Sequence, residues 1–571
     1  MKAVFILIVI FIGSLLAAQD FTQITTGDIV NDGGWNYSCC WADFNNDGWE
    51  DLFVCNNDSN NGRYNFLYWN NGDGTFTRDE TGGTVTTDGG SSYGCCAADY
   101  DNDGFNDLFV ANYNEDNFLY KNYGGGAFIR ITEGSIANDN GRSTGSQWID
   151  YDHDGWLDLW VCNRDEPNFL YHNNGDGTFE RTYTGTLTSE SRNTGNCIWA
   201  DFDGNGYPDV FLANSGPNYN SLFFNNGDGT FTPLMDDPLV NDLESFDIAS
   251  CGDIDNDGDY DIYTAPGMLP ASAYDIYFYL NNGDGSFLRQ TGLPHSGLNA
   301  GGGCSMTDWD NDGDLDVLQT AYDGFNLLLQ NNDGSLEQIT TGALAADGNY
   351  NKEPAWCDYD GDGDLDVFLA VNNYFSGNNK FFRNDATGNN WLQIKLIGSM
   401  SNYNGIGSTI TITAEINGET VIQKSETDCR NSLITHFGLG DAQVIDELVI
   451  IWSSDIENIF HNVTVNQLLE IAEQQISQDH NELPISVHNL HNYPNPFNPL
   501  TNITYQLTSA GLVSIKIFNI KGQQITELAN EPQPAGAHHL TWDATSFSSG
   551  IYYLSLQSGD SFITRKLILL K

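Results

Sequence analysis

The chain has 571 residues, too many for one hydrophobic core and enough for about three domains. Its 78 acidic residues against 21 Lys and Arg leave a formal net charge of −57. That excludes nucleic acid as a partner, because phosphate binding needs basic patches, while aromatics at 13% of residues exclude a disordered acidic chain.

Residues 1–18 carry a lysine at position 2, an apolar run over 3–16 and a closing Ala17-Ala18. This is the pattern of a secretory signal peptide, too short for a membrane span. No later stretch is long and apolar enough to cross a bilayer, so the mature chain is expected to have no membrane span.

The stretch Asp99-Tyr-Asp-Asn-Asp-Gly-Phe-Asn-Asp107 sets oxygen donors at positions 1, 3, 5 and 9 and a glycine at position 6. Hard oxygen ligands at this spacing suit Ca²⁺. It is not an EF-hand, since position 12 is Val110 and both flanks are strand-like. The pattern recurs seven times, 50 to 56 residues apart. Loop 1 offers Asp43, Asn45, Asp47 and Asp51, and loop 2 offers Asp99, Asp101, Asp103 and Asp107. Loop 3 has Asp150, Asp152, Asp154 and Asp158, and loop 4 has Asp201, Asp203, Asn205 and Asp209. Loop 5 has Asp253, Asp255, Asp257 and Asp261. Loops 6 and 7 have Asp308, Asp310, Asp312 and Asp316, then Asp358, Asp360, Asp362 and Asp366. A single such loop is compatible with a plain surface turn; seven in register predict about seven calcium sites as the cofactor content.

Each loop is followed by an apolar strand, an irregular loop and a strand such as Asn117-Phe-Leu-Tyr, then a turn such as Asn70-Asn-Gly-Asp-Gly-Thr-Phe76. Asn-Gly and Asp-Gly between apolar runs predict tight hairpins. Four strands in about 50 residues, repeated side by side, describe the blades of a β-propeller. Six repeats have a fourth strand of their own, and residues 21–27 closely match residues 336–342. The mature N-terminus is therefore expected to complete the seventh blade and close the ring, removing an exposed edge.

These residues resemble the FG-GAP/VCBS repeats of integrin-α-like propellers over about residues 20–388. Beyond Asn389 the segments Asn390-Trp-Leu-Gln-Ile-Lys-Leu, His436-Phe-Gly-Leu-Gly-Asp441 and Leu448-Val-Ile-Ile-Trp-Ser resemble the ASPIC/UnbV domain that follows such a propeller in cartilage acidic protein and its bacterial relatives. Family members carry a Ser-Gln-rich stretch where this chain has Cys429-Arg-Asn-Ser. His436 is expected to be packed and satisfied rather than a ligand. The run Asn492-Tyr-Pro-Asn-Pro-Phe-Asn-Pro499 and the strands after it resemble the C-terminal sorting domain of type IX secretion substrates, with a FlgD-like immunoglobulin fold. The expected organisation is an all-β chain: signal peptide 1–18, seven-bladed propeller 19–388, small β domain 389–473, linker 474–485 and Ig-like sandwich 486–571. The resemblance implies secretion machinery as a partner of the last domain, and a secreted or cell-surface location after outer-membrane export.

Eleven cysteines show no CxxC metal spacing. Cys39, Cys95, Cys197 and Cys304, each four residues before a loop, read as small buried packing positions. Cys39 and Cys55 flank the first loop symmetrically and are a candidate disulfide. No catalytic motif is present. The propeller's three histidines, His153, His172 and His295, read as belonging to unrelated repeats, with His153 facing outward. The expectation is a non-enzymatic, calcium-binding adhesion or ligand-binding protein taking a glycan or protein. The alternatives are a polysaccharide-active enzyme, with Glu115, Asp165 and Glu166 converging in a cleft, or a structural scaffold. Strand alternation puts the metal loops and the Asn-Gly-Asp-Gly turns on one rim. The variable loops of the other rim carry Tyr64, Tyr113, Tyr219, Tyr274, Tyr322, Tyr374 and Phe375, which are expected to form the ligand face.

Overall fold

The strand after each acidic loop is a short apolar run flanked by polar punctuation. In Asp51–Asn56 (Asp-Leu-Phe-Val-Cys-Asn) every residue is buried, as in a sheet covered on both faces. The computed structural model describes residues 21–571 except 59–61, 82, 216–218, 243–245, 267–275, 291–300, 323, 333, 349, 373–376, 387, 475–486, 494–496, 508–510, 520–523, 535, 559–560 and 570. The expected signal peptide, most of the linker, and His295, Tyr274, Tyr374 and Phe375 lie outside the described residues.

Seven four-stranded antiparallel units follow one another. Sheet 1 is Asn36–Ala42, Asp51–Asn56, Phe66–Asn70 and Phe76–Arg78. Sheet 2 begins at Ser92–Ala98, sheet 3 at Gly141–Ile149, sheet 4 at Ser191–Ala200, sheet 5 at Phe246–Gly252, sheet 6 at Gly301–Thr307 and sheet 7 at Asn351–Cys357. Sheets 2, 3 and 4 are stitched into one twelve-stranded sheet by pairings such as Arg142 with Tyr113 and Glu166 with Arg192. Successive first strands are neighbours, and that of sheet 7 neighbours that of sheet 1, so the first strands line the middle of a closed ring. This is a β-propeller. Its last sheet takes its fourth strand from the start of the chain: Phe21–Ile24 pairs with Lys380–Asn384, Phe21 opposite Asn384 and Ile24 opposite Phe381.

All eleven cysteines are free thiols, so the Cys39–Cys55 disulfide is not formed. The hairpin register sets Cys39 opposite Val54, and neighbours on a strand point to opposite faces. Cys39 packs in the core with residues of sheet 7, Cys55 in the core shared with sheet 2.

Two smaller β units follow. In the first, Asn390–Ile397 lies between Ile434–Gly440 and the parallel Gln467–Ala472, against a sheet ordered Glu419–Glu426, Thr409–Ile416, Val444–Ile451, Glu457–Thr464. Its core is mostly aliphatic, built on residues such as Ile394, Ile412 and Leu448, with Trp452 among them. In the second, the three-stranded sheet Val487–Tyr493, Leu500–Leu507, Gly536–Asp543 and a four-stranded sheet centred on Gly511–Asn519 and Gly550–Ser558 enclose Trp542, Ile515 and Leu554.

Candidate metal loops and the rims of the ring

Every acidic loop is the hairpin between the first and second strands of a sheet. The ninth-position aspartate opens the second strand opposite the last residue of the first, as in Ala42 with Asp51 and Ile149 with Asp158. The chain turns back through a left-handed residue at position 6, where Gly48 has φ 97° and Gly313 φ 103°, values that disfavour any side chain. The first aspartate ties the turn: Asp99 Oδ1 and Oδ2 accept the N–H groups of Asp103 and Gly104 at 3.0 and 2.6 Å. Position 5 also serves the turn, Asp103 Oδ1 accepting from Phe105 N at 3.1 Å.

The predicted ligands do converge. Acceptor oxygens of Asp99, Asp101 and Asp107 lie within 4.8 Å of one another, as do those of Asp201, Asp203 and Asp209, and those of Asp253, Asp255 and Asp261. Positions 1, 3 and 9 thus form the common triad. At position 3, Asp101, Asp152, Asp310 and Asp360 each keep a buried Oδ1 with no hydrogen-bond partner. Burial among like charges pushes these carboxyls up, Asp99 to about 7, Asp209 to about 8 and Asp51 to about 9. Orphaned oxygens held in such a cluster fit a divalent cation, whose charge would reverse the shifts.

The loops are not equivalent. The third-strand residue just before the buried asparagine of each sheet is Trp69, Lys121, His172, Phe224, Leu280, Gln330 or Arg383, and in loops 2, 3 and 6 it contacts the loop acids. In loop 2 the Lys121 ammonium sits against Asp101 and lies 2.9 Å from Asp103 Oδ2, supplying a cation of the chain's own. In loop 6 the Gln330 amide donates to Asp310. In loop 3 His172 Nδ1 is 3.1 Å from Asp158 Oδ1 and 3.4 Å from Asp152 Oδ2, and the Asp158 carboxylate pushes the imidazole up to about 9. His153 and His172 therefore belong to one sheet and one loop, not to unrelated repeats. His153 is half-buried, stacked on Tyr207 at 4.8 Å, rather than facing outward.

At or next to the end of each third strand stands a buried asparagine: Asn70, Asn122, Asn173, Asn225, Asn281, Asn331 and Asn384. Its backbone N–H donates to the ninth-position aspartate, and its side chain reaches the carbonyl after the first aspartate of the preceding loop. Asn122 Nδ2 reaches Phe44 O at 2.7 Å, Asn225 reaches Tyr151 O at 2.8 Å, and Asn384 reaches Trp309 O at 2.6 Å.

The small β domain sits on this rim. Asn404 Oδ1 accepts from Asp99 N at 2.7 Å, and Glu426 Oε2 from Asp201 N at 3.4 Å. Gln393 donates to Asp358 Oδ2 at 2.9 Å. His436 Nε2 is 2.6 Å from Asn311 Oδ1, and burial pushes its pKa down to about 3, so it is a neutral packed residue as expected. Residues 429–431 enter the middle of the ring. Asn431 O accepts from Trp41 N of sheet 1 at 3.1 Å, Cys429 Sγ from Trp148 N of sheet 3 at 3.3 Å, and Arg430 reaches Cys251 of sheet 5 at 3.6 Å.

At the opposite rim, near the middle of the ring, Tyr37 stacks on Tyr93 at 4.0 Å and Tyr93 on Tyr113 at 5.1 Å. The Lys352 ammonium lies over both Tyr37 and Tyr322. Tyr64 and Tyr219 are 44% and 45% exposed. A cavity of about 700 Å³ opens on this rim beside Tyr350, Asn378 and Lys380. The acids considered for catalysis are otherwise engaged: Glu115 with Arg63 at 2.7 Å, Asp165 with Arg142 at 2.9 Å, and Glu166 with Arg142 N at 2.6 Å.

Fold and loops together define a β-propeller with acidic hairpin loops, carrying two β domains behind it. The chain belongs to the FG-GAP-like repeat family, whose pattern matches residues 43–110, 99–161, 150–212, 201–264, 253–319 and 308–369. The ASPIC and UnbV family matches residues 398–478, and the secretion system C-terminal sorting domain matches residues 491–570. That last domain marks the chain for type IX export to the cell surface or medium. No helix among the described residues is long and apolar enough to cross a membrane. Cartilage acidic protein 1 of Xenopus tropicalis is 28% identical over 189 residues, covering 31% of this chain and 29% of that protein. The chain thus matches under a third of this relative's length. Among solved structures, BBS1N in complex with ARL6DN aligns over 64% of this chain and 98% of its own, at 10% identity and a TM-score of 0.42. The Dos1 propeller aligns over 63% and 95%, at 9% identity and a TM-score of 0.35.

Proposed function

We propose that this chain is an exported, calcium-binding propeller that binds an extracellular glycan or protein through the rim opposite its metal loops. The observation that carries the reading is the asymmetry of the ring. The loop rim is repetitive and engaged by the small β domain, whose residues 429–431 enter the ring from that side. The other rim combines the Tyr113–Tyr93–Tyr37 stack, Lys352, exposed Tyr64 and Tyr219 and a cavity of ligand size. Tyrosines with an apolar face and a polar tip suit sugar or protein contact. The calcium is structural: oxygen-rich loops at one end of the sheets hold the hairpins in register. The role is binding rather than catalysis, since Glu115, Asp165 and Glu166 are committed to cations and a backbone N–H.

The test is a glycan and matrix-protein array probed with the mature chain, with and without calcium, and with a Tyr64→Ala/Tyr113→Ala variant. A ligand bound by the wild type and lost in the variant at unchanged melting temperature supports the reading. A ligand retained by the variant but lost on truncation of the small β domain would move the site to the other rim.

A further inference from the structure

Loop 3 differs from its six counterparts in its donor set. In the others, the N–H after the first aspartate donates to the ninth-position carboxylate: Phe44 to Asp51 Oδ2 at 3.1 Å, Tyr100 to Asp107 at 3.2 Å, Phe202 to Asp209 at 2.9 Å, and likewise Ile254, Trp309 and Tyr359. In loop 3 that bond is missing. Asp158 is fully buried, yet its Oδ2 has no hydrogen-bond partner, and neither has Asp152 Oδ1. His172 Nδ1 stands 3.1 Å from Asp158 Oδ1 and 3.4 Å from Asp152 Oδ2, an ion pair whose proton an incoming divalent ion would displace. One imidazole nitrogen and two carboxylates thus point at a common centre.

We propose that loop 3 is a mixed nitrogen–oxygen site for a divalent transition ion of the Zn²⁺ class, with His172 Nδ1, Asp152 and Asp158 as ligands, and not one more calcium loop. The inference rests on the reading that these loops hold metal ions, and it changes the metal at one of them. Tetrahedral donors around an ion bound at about 2.0–2.2 Å lie about 3.3–3.6 Å apart; the 3.4 Å separation falls in that range and the 3.1 Å one needs to open by about 0.2 Å. Calcium takes oxygen donors, whereas imidazole favours borderline ions such as zinc, so an imidazole among the ligands turns the preference of this loop alone. The other ring nitrogen, Nε2, lies 4.0 Å from Asp154 Oδ2. The same strand position holds an ammonium in loop 2 and apolar side chains in loops 1, 4 and 5, so the geometry is particular to this sheet.

The experiment titrates the full mature chain with zinc chloride in excess calcium, beside His172→Phe and His172→Gln variants. Phenylalanine and glutamine occupy this position in sheets 4 and 6, as Phe224 and Gln330, so both substitutes fit the strand. One zinc per chain is expected, weakened about tenfold or more in both variants, while calcium binding at the other loops is retained. Crystals soaked in zinc should show the anomalous peak between Asp152, Asp158 and His172, and cobalt chloride should give the visible bands of a nitrogen-ligated ion only in the wild type. Zinc affinity equal in wild type and variants, or an anomalous peak elsewhere, would overturn the proposal while leaving the calcium loops standing. Failure of both zinc and calcium to bind would remove the loop reading itself.

Discussion

Asn70 and Tyr359 stand 289 residues apart in the chain and are joined at the seam of the ring, Asn70 Nδ2 donating to Tyr359 O at 2.8 Å. The same side chain also donates to Glu50 O at 3.3 Å, and the Asn70 N–H donates to Asp51 Oδ1 at 2.9 Å. One buried asparagine therefore links the loop of sheet 1 to the loop of sheet 7. Asn70→Ala strands a buried carbonyl and should lower the unfolding free energy by about 1–3 kcal/mol. Asn71→Ala, at an exposed turn residue, should change it by under about 0.5 kcal/mol. Urea denaturation of the two variants checks the difference; equal midpoints would show that the seam is held elsewhere.

The seam has a second component in Phe21–Ile24. Deleting these residues leaves Lys380–Asn384 as an open edge, a template for pairing with other chains. The shortened protein should elute partly as soluble oligomers in size-exclusion chromatography and be cut faster by protease. A monomer with the wild-type melting temperature would contradict this.

Lys121 makes loop 2 a test of competition between a side-chain cation and calcium. Lys121→Met removes the ammonium from Asp101 and Asp103 and should raise calcium stoichiometry by one per chain, measured by equilibrium dialysis. Phe224→Lys should do the reverse at loop 4. At tenfold ligand excess each calcium site adds about 1.4 kcal/mol, so chelation should lower the melting temperature less in Phe224→Lys than in the wild type. Unchanged stoichiometry in both variants would mean that the penultimate residue does not govern occupancy.

The loop carboxyls set a pH dependence of unusual sign. Burial raises Asp99 to about 7 and Asp209 to about 8, against about 3.9 for a free aspartate. A raised folded-state value favours the protonated form, so this contribution to stability is complete below about pH 4 and is lost as pH rises through 7 to 8. Metal-free protein should therefore melt at progressively lower temperature between about pH 5 and pH 8.5. Calcium, by stabilising the ionised carboxylates, should flatten or reverse the slope. Parallel melting curves with and without calcium over that range would contradict the loop assignment.

Glu473 anchors the part of the small β domain that meets loops 2 and 3. Burial alone would raise its carboxyl, but hydrogen bonds outweigh it and hold the group below the usual range. Its Oε2 accepts from Ser399 N, Met400 N and Ser401 N at 2.7, 2.6 and 2.9 Å. Tyr403 N then donates to Asn102 Oδ1 of loop 2 at 2.7 Å. Glu473→Gln should cost about 1.5–3 kcal/mol and speed hydrogen exchange at residues 399–404. A depressed folded-state value gives stability that is present above about pH 4.3 and lost as pH falls, so the difference between wild type and variant should shrink in acid. A constant gap across that range would show that the carboxylate charge is not what orders the segment.

The repeat, the acidic hairpins, the turns and the strand that closes the ring are all legible in the chain, because each follows from short-range pattern: alternation, glycine at the turn, and spacing near 50 residues. Even the closing strand is visible, since residues 21–27 copy the fourth strand of sheet 6. What tertiary structure decided lies where residues far apart or on different faces meet. Strand alternation puts Cys39 and Cys55 in different cores, although their spacing suggested a bridge. The third-strand residue just before the buried asparagine is 20 to 25 residues away from the loop's third position, as Lys121 is from Asp101 and His172 from Asp152, so a motif confined to nine residues could not include it. The engagement of the loop rim by residues such as Asn404, Glu426 and Asn431 joins segments some 220 to 390 positions apart. Only side-chain fit between a repetitive ring and a non-repeating domain settles that contact, and no period in the sequence encodes it.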